Sequence, residues 1–187
     1  MTTLTYKILT KNDLPNGVLS AFTRTQTVTR VWRKSNFTSD AEPRWKIEET
    51  CFTDDWTHAQ KHTAIPAYLR ECITGCGFVA AAAAAGKIIG FASLDGTLMI
   101  SPAAAYADLT LLHVSREYRN MGIGKKLFAM CAEKARVMGA TKLYISAHSS
   151  VESQGFYRGI GCVDATDPSK LHADLEPFDC QLEFAIL

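Results

Sequence analysis

The sequence predicts a mixed α/β fold organised around one βαβ unit, and three patterns carry that reading. Leu109-Thr110-Leu111-Leu112-His113-Val114 is a short, mostly apolar run of the kind that forms a buried strand. Ile123, Leu127, Cys131, Ala135 and Met138 then recur at steps of three and four, the period of an amphipathic helix, and Gly139 stands where a helix C-terminus favours glycine. Leu143-Tyr144-Ile145-Ser146-Ala147 is a second buried strand. A helix between two such strands marks a right-handed crossover, which makes the strands parallel.

Taken in chain order, Asp13 to about Arg24 is expected to be a helix, and Thr29–Lys34 with Trp45–Thr50 a hairpin across a polar, Pro-containing loop. Thr53 is the expected N-cap of a helix beginning at Asp54-Asp55. The run Ala80–Ala85 favours helix by propensity, but an isolated helix needs roughly 12–15 residues to be even marginal. Gly77-Phe78-Val79 precedes it and Gly86-Lys87, then Ile88-Ile89-Gly90-Phe91, follows, so the segment reads as strand, turn, strand. Beyond the βαβ unit a short helix spans about Val151 to Arg158 and stops at Gly159. Cys180, Leu182, Phe184 and Ile186 alternate with Asp179, Gln181 and Glu183, which predicts a half-exposed antiparallel strand. Its apolar face is to be covered by its own chain or by a second copy, so a homodimer stays open.

At 187 residues the chain suits a single domain over 1–187 with a real hydrophobic core. Twenty Lys+Arg against nineteen Asp+Glu leave a net charge of +1, so no global field favours nucleic acid or an anionic membrane, and any anion must be recognised locally. The start, MTTLTYKILTKNDLP, is too polar for a secretory signal, and no apolar stretch approaches the ~18 residues of a spanning helix; the expected compartment is the cytoplasm. Six irregularly spaced cysteines point to reduced thiols, mostly in the core, and the Cys72/Cys76 spacing suits neither a redox pair nor a zinc knuckle. His58 and His62 have helical ligand spacing without a third ligand, so they read as a solvent-facing pair. Trp32, Trp45 and Trp56 are expected in the core or over the mouth of a site.

Between the first strand and the helix stands EYRNMGIGKKLF, residues 117–128. Gly122 and Gly124 let backbone N–H groups approach an anion, the helix start favours negative charge, and Arg119, Lys125 and Lys126 add positive charge. A phosphate-bearing ligand is the natural guest; the plainer alternative is a tight loop whose glycines only permit a turn. A P-loop is excluded because Arg119 takes its first glycine position and Lys126 the place of its Ser/Thr. A dinucleotide fingerprint is excluded because Leu127 stands where the third glycine belongs.

The stretch Arg119-Asn120-Met121-Gly122-Ile123-Gly124 resembles the [RQ]xxGxG acyl-CoA loop of the GNAT superfamily of N-acetyltransferases, and LTLLHVSREYRNMGIGKKLF is similar to that superfamily's strand–loop–helix core. SSVESQGFYRGIGCV, residues 149–163, is similar to its second signature, one strand further on. The resemblance implies an α+β fold: a mixed, mostly antiparallel sheet whose central parallel pair splays apart and admits acetyl-CoA. About residues 77–163 would form the cofactor-binding core and 1–76 the acceptor side. Backbone groups of Leu112, His113 and Val114 would meet the pantetheine arm or thioester carbonyl. Arg119, Asn120, Met121, Gly122, Ile123, Gly124, Lys125 and Lys126 would hold the pyrophosphate, with Ser150, Ser153 and Tyr157 completing the set. Ser150 replaces an asparagine that the family often carries seven residues before the tyrosine.

Acetyl transfer to an amine needs a base for the amine, a donor for the developing oxyanion and an acid for the leaving thiolate. The resemblance implies Tyr157 as the acid, the Leu112 N–H as the oxyanion donor and Asp108 as the base, with His113 and His148 as alternatives for the base. Cys162 reads as packing. The implied activity is N-acetyl transfer by direct attack in a ternary complex, onto a small-molecule amine rather than a protein. A longer acyl group or a non-catalytic CoA-binding domain is the alternative. Asp54, Asp55 and Glu71 are candidate attractors for a cationic amine.

Overall fold

The computed structural model describes residues 3–34, 45–102 and 104–186. Strand β1 (Leu4–Ile8) is followed by a separate antiparallel arm, β2 (Gln26–Lys34) and β3 (Trp45–Asp54). Helix α1 (Ile65–Thr74) leads into the hairpin β4 (Phe78–Ala84) and β5 (Lys87–Ile100), then β6 (Ala105–Val114), α2 (Ile123–Val137) and β7 (Lys142–Ala147). Helix α3 (Val151–Gly159), β8 (Val163–Asp164), α4 (Lys170–Leu175) and β9 (Cys180–Ala185) complete the chain. The main sheet has the order β1-β4-β5-β6-β7-β9-β8, with β6 and β7 parallel and every other neighbouring pair antiparallel. The predicted mixed fold with one βαβ unit is the observed one.

The alanine run is a strand because tertiary burial outweighs its helical propensity. Ala80, Ala82 and Ala84 face the core under α2, while Val79 and Ala81 face the core under α1. Small side chains let both layers approach this strand closely. Ala85 and Gly86 turn the hairpin at φ 48° and 72°, the paired left-handed geometry that two-residue hairpins favour. On α2, the predicted stripe is buried: Ile123, Leu127, Cys131 and Ala135 lie at 0–1% exposure, and full burial of each Ile or Leu is worth ~1.5–3 kcal/mol. Cys131, Cys162 and Cys180 are buried, and all six thiols are free.

Three sequence expectations are corrected. Asp13–Arg24 is not a helix but a 3-10 turn, Lys11–Asp13, followed by successive turns with bonds from Val18 to Pro15, Ser20 to Gly17 and Phe22 to Leu19. Pro15 and the left-handed Gly17 (φ 82°) interrupt any α-helix there, although Leu14, Leu19 and Phe22 are buried as a helix would bury them. Thr53 caps no helix, because β3 runs to Asp54. The cap is Thr57, whose Oγ1 accepts from Gln60 N–H at 3.2 Å while Gln60 Oε1 accepts from Thr57 N–H at 2.7 Å. A π-turn, Gln60–Ala64, then passes into α1. The loop between the arm strands lies outside the described residues.

The third correction concerns β9, which is interior rather than half exposed: its apolar face joins the main core, Phe128 meeting Phe184 at 5.1 Å. Its own chain therefore covers that face. On the polar face Glu183, 5% exposed, accepts from Tyr106 Oη and Lys142 Nζ at 2.7 Å each and from Thr166 N at 3.1 Å. Burial alone would raise its pKa, but the bonds from Lys142, Tyr106 and Thr166 prevail and hold it at about 2. A depressed carboxylate stabilises the fold fully above its unfolded pKa, 4.5, and that contribution is lost as pH falls toward about 2. Glu183→Gln is expected to lower the neutral-pH melting temperature and to flatten its acid dependence across that window, read by thermal melts from pH 7 to 2. Among the described residues no helix is long and apolar enough to cross a membrane.

Candidate active site

The parallel pair is joined over a short length only. Tyr106, Ala107 and Asp108 pair with Lys142, Leu143 and Tyr144, and beyond Asp108 the strands part. Thr110 is an extra residue in β6, since Leu94 pairs with Leu109 and Ser93 with Leu111; a bulge of this kind bends its strand and shifts side-chain parity. Hence Leu109 and Leu112 both contact the α2-side core, whereas Leu111 joins the core on the opposite face. Ser115 N–H donates to Ile89 O at 2.8 Å, so by antiparallel alternation the main-chain groups of Leu112 and Val114 turn away from β5, toward the gap.

Residues 23–33 tie the open end of this gap. On the β6 side Thr23 N–H donates to Ser115 Oγ at 3.0 Å and Arg116 N–H to Thr23 O at 2.8 Å. On the β7 side Trp32 N–H donates to Ser149 O at 2.7 Å, Arg33 to Ser149 Oγ at 2.7 Å and Gln26 to Ser150 Oγ at 3.2 Å. Arg119 is the bolt of the first anchor, its guanidinium donating to the carbonyls of Val114, Arg24 and Thr25 at 3.1, 2.7 and 3.3 Å. Three of its five N–H donors are thus engaged by carbonyls.

The loop itself turns through Asn120 (φ 62°) and Gly122 (φ 79°) into α2. Lys126 N–H makes the first bond of the helix, to Gly122 O at 3.1 Å. Main-chain N–H groups of the first turn lack intrahelical acceptors and suit an anion. A Cβ at Gly122 would meet nothing within 4 Å, so open space lies over the loop. Gly124 serves a different purpose: a Cβ there would stand 3.1 Å from the Phe156 ring, and its absence lets α3 close against the start of α2. Asn120, Met121, Lys125 and Lys126 are exposed, whereas Ile123 buries its side chain under the loop.

Helix α3 begins at Ser150, whose buried Oγ accepts from Ser153 N–H at 3.2 Å and donates to Ser153 Oγ at 3.0 Å. This pair therefore acts as a helix cap. Tyr157 packs its ring against Phe156 and Phe128 at 5.0 and 6.4 Å. Its hydroxyl has no hydrogen-bond partner among the described residues, and burial, with Cys162, Cys131 and Asp179 nearby, pushes its pKa well up. It is a neutral phenol with a free O–H.

Asp108 occupies the opposite face, where β6 leaves β7. Its Oδ2 lies 2.9 Å from His172 Nε2, and His172 Nδ1 lies 2.9 Å from Ser169 Oγ. Burial raises the Asp108 pKa, His172 opposes that and Asp95 adds to it. Sequence reasoning missed His172, because 64 residues separate it from Asp108 and no local spacing marks it. His113 packs edge-on to Trp56 at 4.7 Å and beside Phe91 at 5.7 Å. Burial first, then Arg24 and Arg119, push its pKa down to about 3, so it stays uncharged. His148, at the end of β7, accepts Ser150 N–H on Nδ1 at 3.1 Å and abuts Phe52; burial lowers its pKa against the pull of Asp54.

Asp54 and Asp55 are paired with Arg24 at 2.5 Å and Lys61 at 3.1 Å. Trp56 is a core residue, stacked on Phe22 and Phe91, while Trp32 and Trp45 pack on each other in the arm. His58 and His62 stack at 5.5 Å, and among the described residues no three ligating side chains form a metal cluster.

The sheet thus carries a gap edged by main-chain groups, with a phenol on one face and a carboxylate on the other. The profile of the acetyltransferase (GNAT) family matches residues 42–162, and the chain belongs to that family. Nourseothricin acetyltransferase shares the fold over 98% of this chain and 99% of its own, with 16% identity and a TM-score of 0.70. A putative streptothricin acetyltransferase from Bacillus anthracis, in complex with acetyl-CoA, covers 97% and 95% at 17% identity and a TM-score of 0.66. The PaiA N-acetyltransferase of Thermoplasma acidophilum, in complex with CoA, covers 98% and 99% at 16% and 0.60. No curated protein sequence matches the chain.

Proposed function

We propose that the chain, as one domain, transfers the acetyl group of acetyl-CoA to a primary amine by direct attack. The observation that carries this reading is the parting of β6 and β7 beyond Asp108, beside the glycine-rich start of α2. The residues fit the donor: open space over Gly122, exposed Lys125 and Lys126, and the gap-facing groups of Leu112 and Val114. In this reading the first-turn amides of α2, with the loop from Asn120, hold the pyrophosphate, and Val114 and Leu112 hold the pantetheine arm and the thioester carbonyl.

Asp108 takes a proton from the ammonium nitrogen and passes it to solvent, and the freed lone pair forms the C–N bond. The Leu112 N–H meets the negative charge on the carbonyl oxygen. The nitrogen then gives its second proton to Asp108, the C–S bond breaks as Tyr157 gives its proton to the sulfur, and solvent carries the proton from Asp108 back to Tyr157. Ammonium and thioester become amide, thiol and one proton released to solvent, with no covalent enzyme intermediate.

Residues 1–76 build the acceptor side, and the mostly enclosed carboxylate of Asp108, with the exposed one of Asp95 beyond it, favours a small cationic amine. Nourseothricin and an aminoglycoside are the first acceptors to try, followed by polyamines and amino acids, with release of free thiol from acetyl-CoA as the measurement. Thiol release that needs both substrates is the expected result; binding of CoA without turnover across the panel would reject it. CoA at 100 times its dissociation constant is expected to stabilise the fold by ~2.7 kcal/mol, read as a thermal shift. No shift with any acyl-CoA would overturn the assignment of the glycine loop.

A further inference from the structure

The geometry points to His172 as the positioning residue for Asp108, holding one carboxylate oxygen so that the other faces the incoming amine. This inference rests on the reading of Asp108 as the proton acceptor. Both side chains are mostly enclosed, at 14% exposure for Asp108 and 17% for His172. His172 Nε2 engages Oδ2 at 2.9 Å, and Oδ1 has no hydrogen-bond partner among the described residues. A carboxylate with one oxygen engaged and one open presents a single acceptor lone pair in a fixed direction.

His172 is itself fixed. Its Nδ1 lies 2.9 Å from Ser169 Oγ, and its ring lies 5.0 Å from that of Tyr144. Ser169 N–H donates to Tyr144 Oη at 2.8 Å, and Tyr144 is the β7 residue directly opposite Asp108. Asp108, His172, Ser169 and Tyr144 therefore close a ring across the last joined rung of the parallel pair, at the point where the gap opens. A side chain serving only to seat α4 would not need to terminate on the one carboxylate at the fork.

The groups facing Asp108 define what His172 supplies. Asp95 approaches from β5, Tyr68 from α1 and Tyr144 from β7; none carries positive charge. His172 is the one basic neighbour among the described residues that opposes burial and Asp95. Without it the carboxyl would hold its proton to higher pH, which makes it a poorer acceptor for the proton of the amine.

The test has a readout that needs no acceptor. The Asp108 carboxyl, labelled with carbon-13 and assigned by its loss in Asp108→Asn, is titrated by NMR in the unaltered protein and in His172→Ala. We expect its pKa to rise by about one unit or more in His172→Ala. His172→Gln, which can still donate to Oδ2, should recover part of the shift and guards against a fold defect in the alanine variant. With nourseothricin and acetyl-CoA, the acid limb of kcat/KM should move up in pH by the same amount, with KM for acetyl-CoA unchanged. An unmoved carboxyl titration in folded His172→Ala overturns the inference, whatever the acceptor. If the titration moves but Asp108→Asn keeps full activity, the coupling stands and Asp108 is not the base.

Discussion

Tyr157→Phe is expected to lower turnover about 10²–10⁴-fold, the usual worth of a positioned general acid, while the affinity for CoA changes little. The hydroxyl makes no hydrogen bond to any described residue, so its removal costs the fold almost nothing. Its burial holds the phenol protonated throughout the physiological range, the state in which it can donate to a departing thiolate. Steady-state kinetics with saturating acceptor and a titration of CoA separate the two quantities. A parallel loss of turnover and affinity, with a lowered melting temperature, would assign Tyr157 to packing between α2 and α3.

Gly96→Ala is expected to have the largest effect on stability. A Cβ at Gly96 would stand 2.0 Å from Gly75 O and 2.7 Å from Gly77 N, and backbone at a helix end cannot swing aside as a side chain can. Overpacking of this kind costs about 3 kcal/mol or more, which for a chain of this size lowers the melting temperature by about 6–12 °C. The close approach fastens the end of α1 to β5, and those two elements bring Tyr68 and Asp95 to the side of Asp108. A circular-dichroism melt reads the first consequence and thiol release the second. An unchanged melt would mean that α1 and β5 do not touch through their backbones.

The sequence carried the βαβ unit well, because its signals are local: the stripe on α2, the glycine at its end and two short apolar runs. The alanine run was legible for another reason, its glycine-bounded brevity. Asp13–Arg24 misled because Leu14, Leu19 and Phe22 keep a helix-like spacing of buried residues while Pro15 and Gly17 turn the backbone. At the site, the glycine motif was readable but the division of labour within it was not. Arg119 looks like an anion ligand until the carbonyls of Arg24 and Thr25, 95 and 94 residues away, are seen around it. Gly124 looks like a partner of Gly122 until Phe156 is found against it. Both roles are set by tertiary neighbours, and so is that of His172.

The tether formed by residues 23–33 has a consequence for any ligand of the gap between β6 and β7. Because Ser115 and Ser149 are linked through one continuous piece of chain, the doorway is framed before anything passes through it. Little free energy is then drawn from binding to reshape the protein. The lintel is also exposed to harm from afar: a change at Thr23 or Trp32 would loosen the frame through their bonds to Ser115, Arg116 and Ser149.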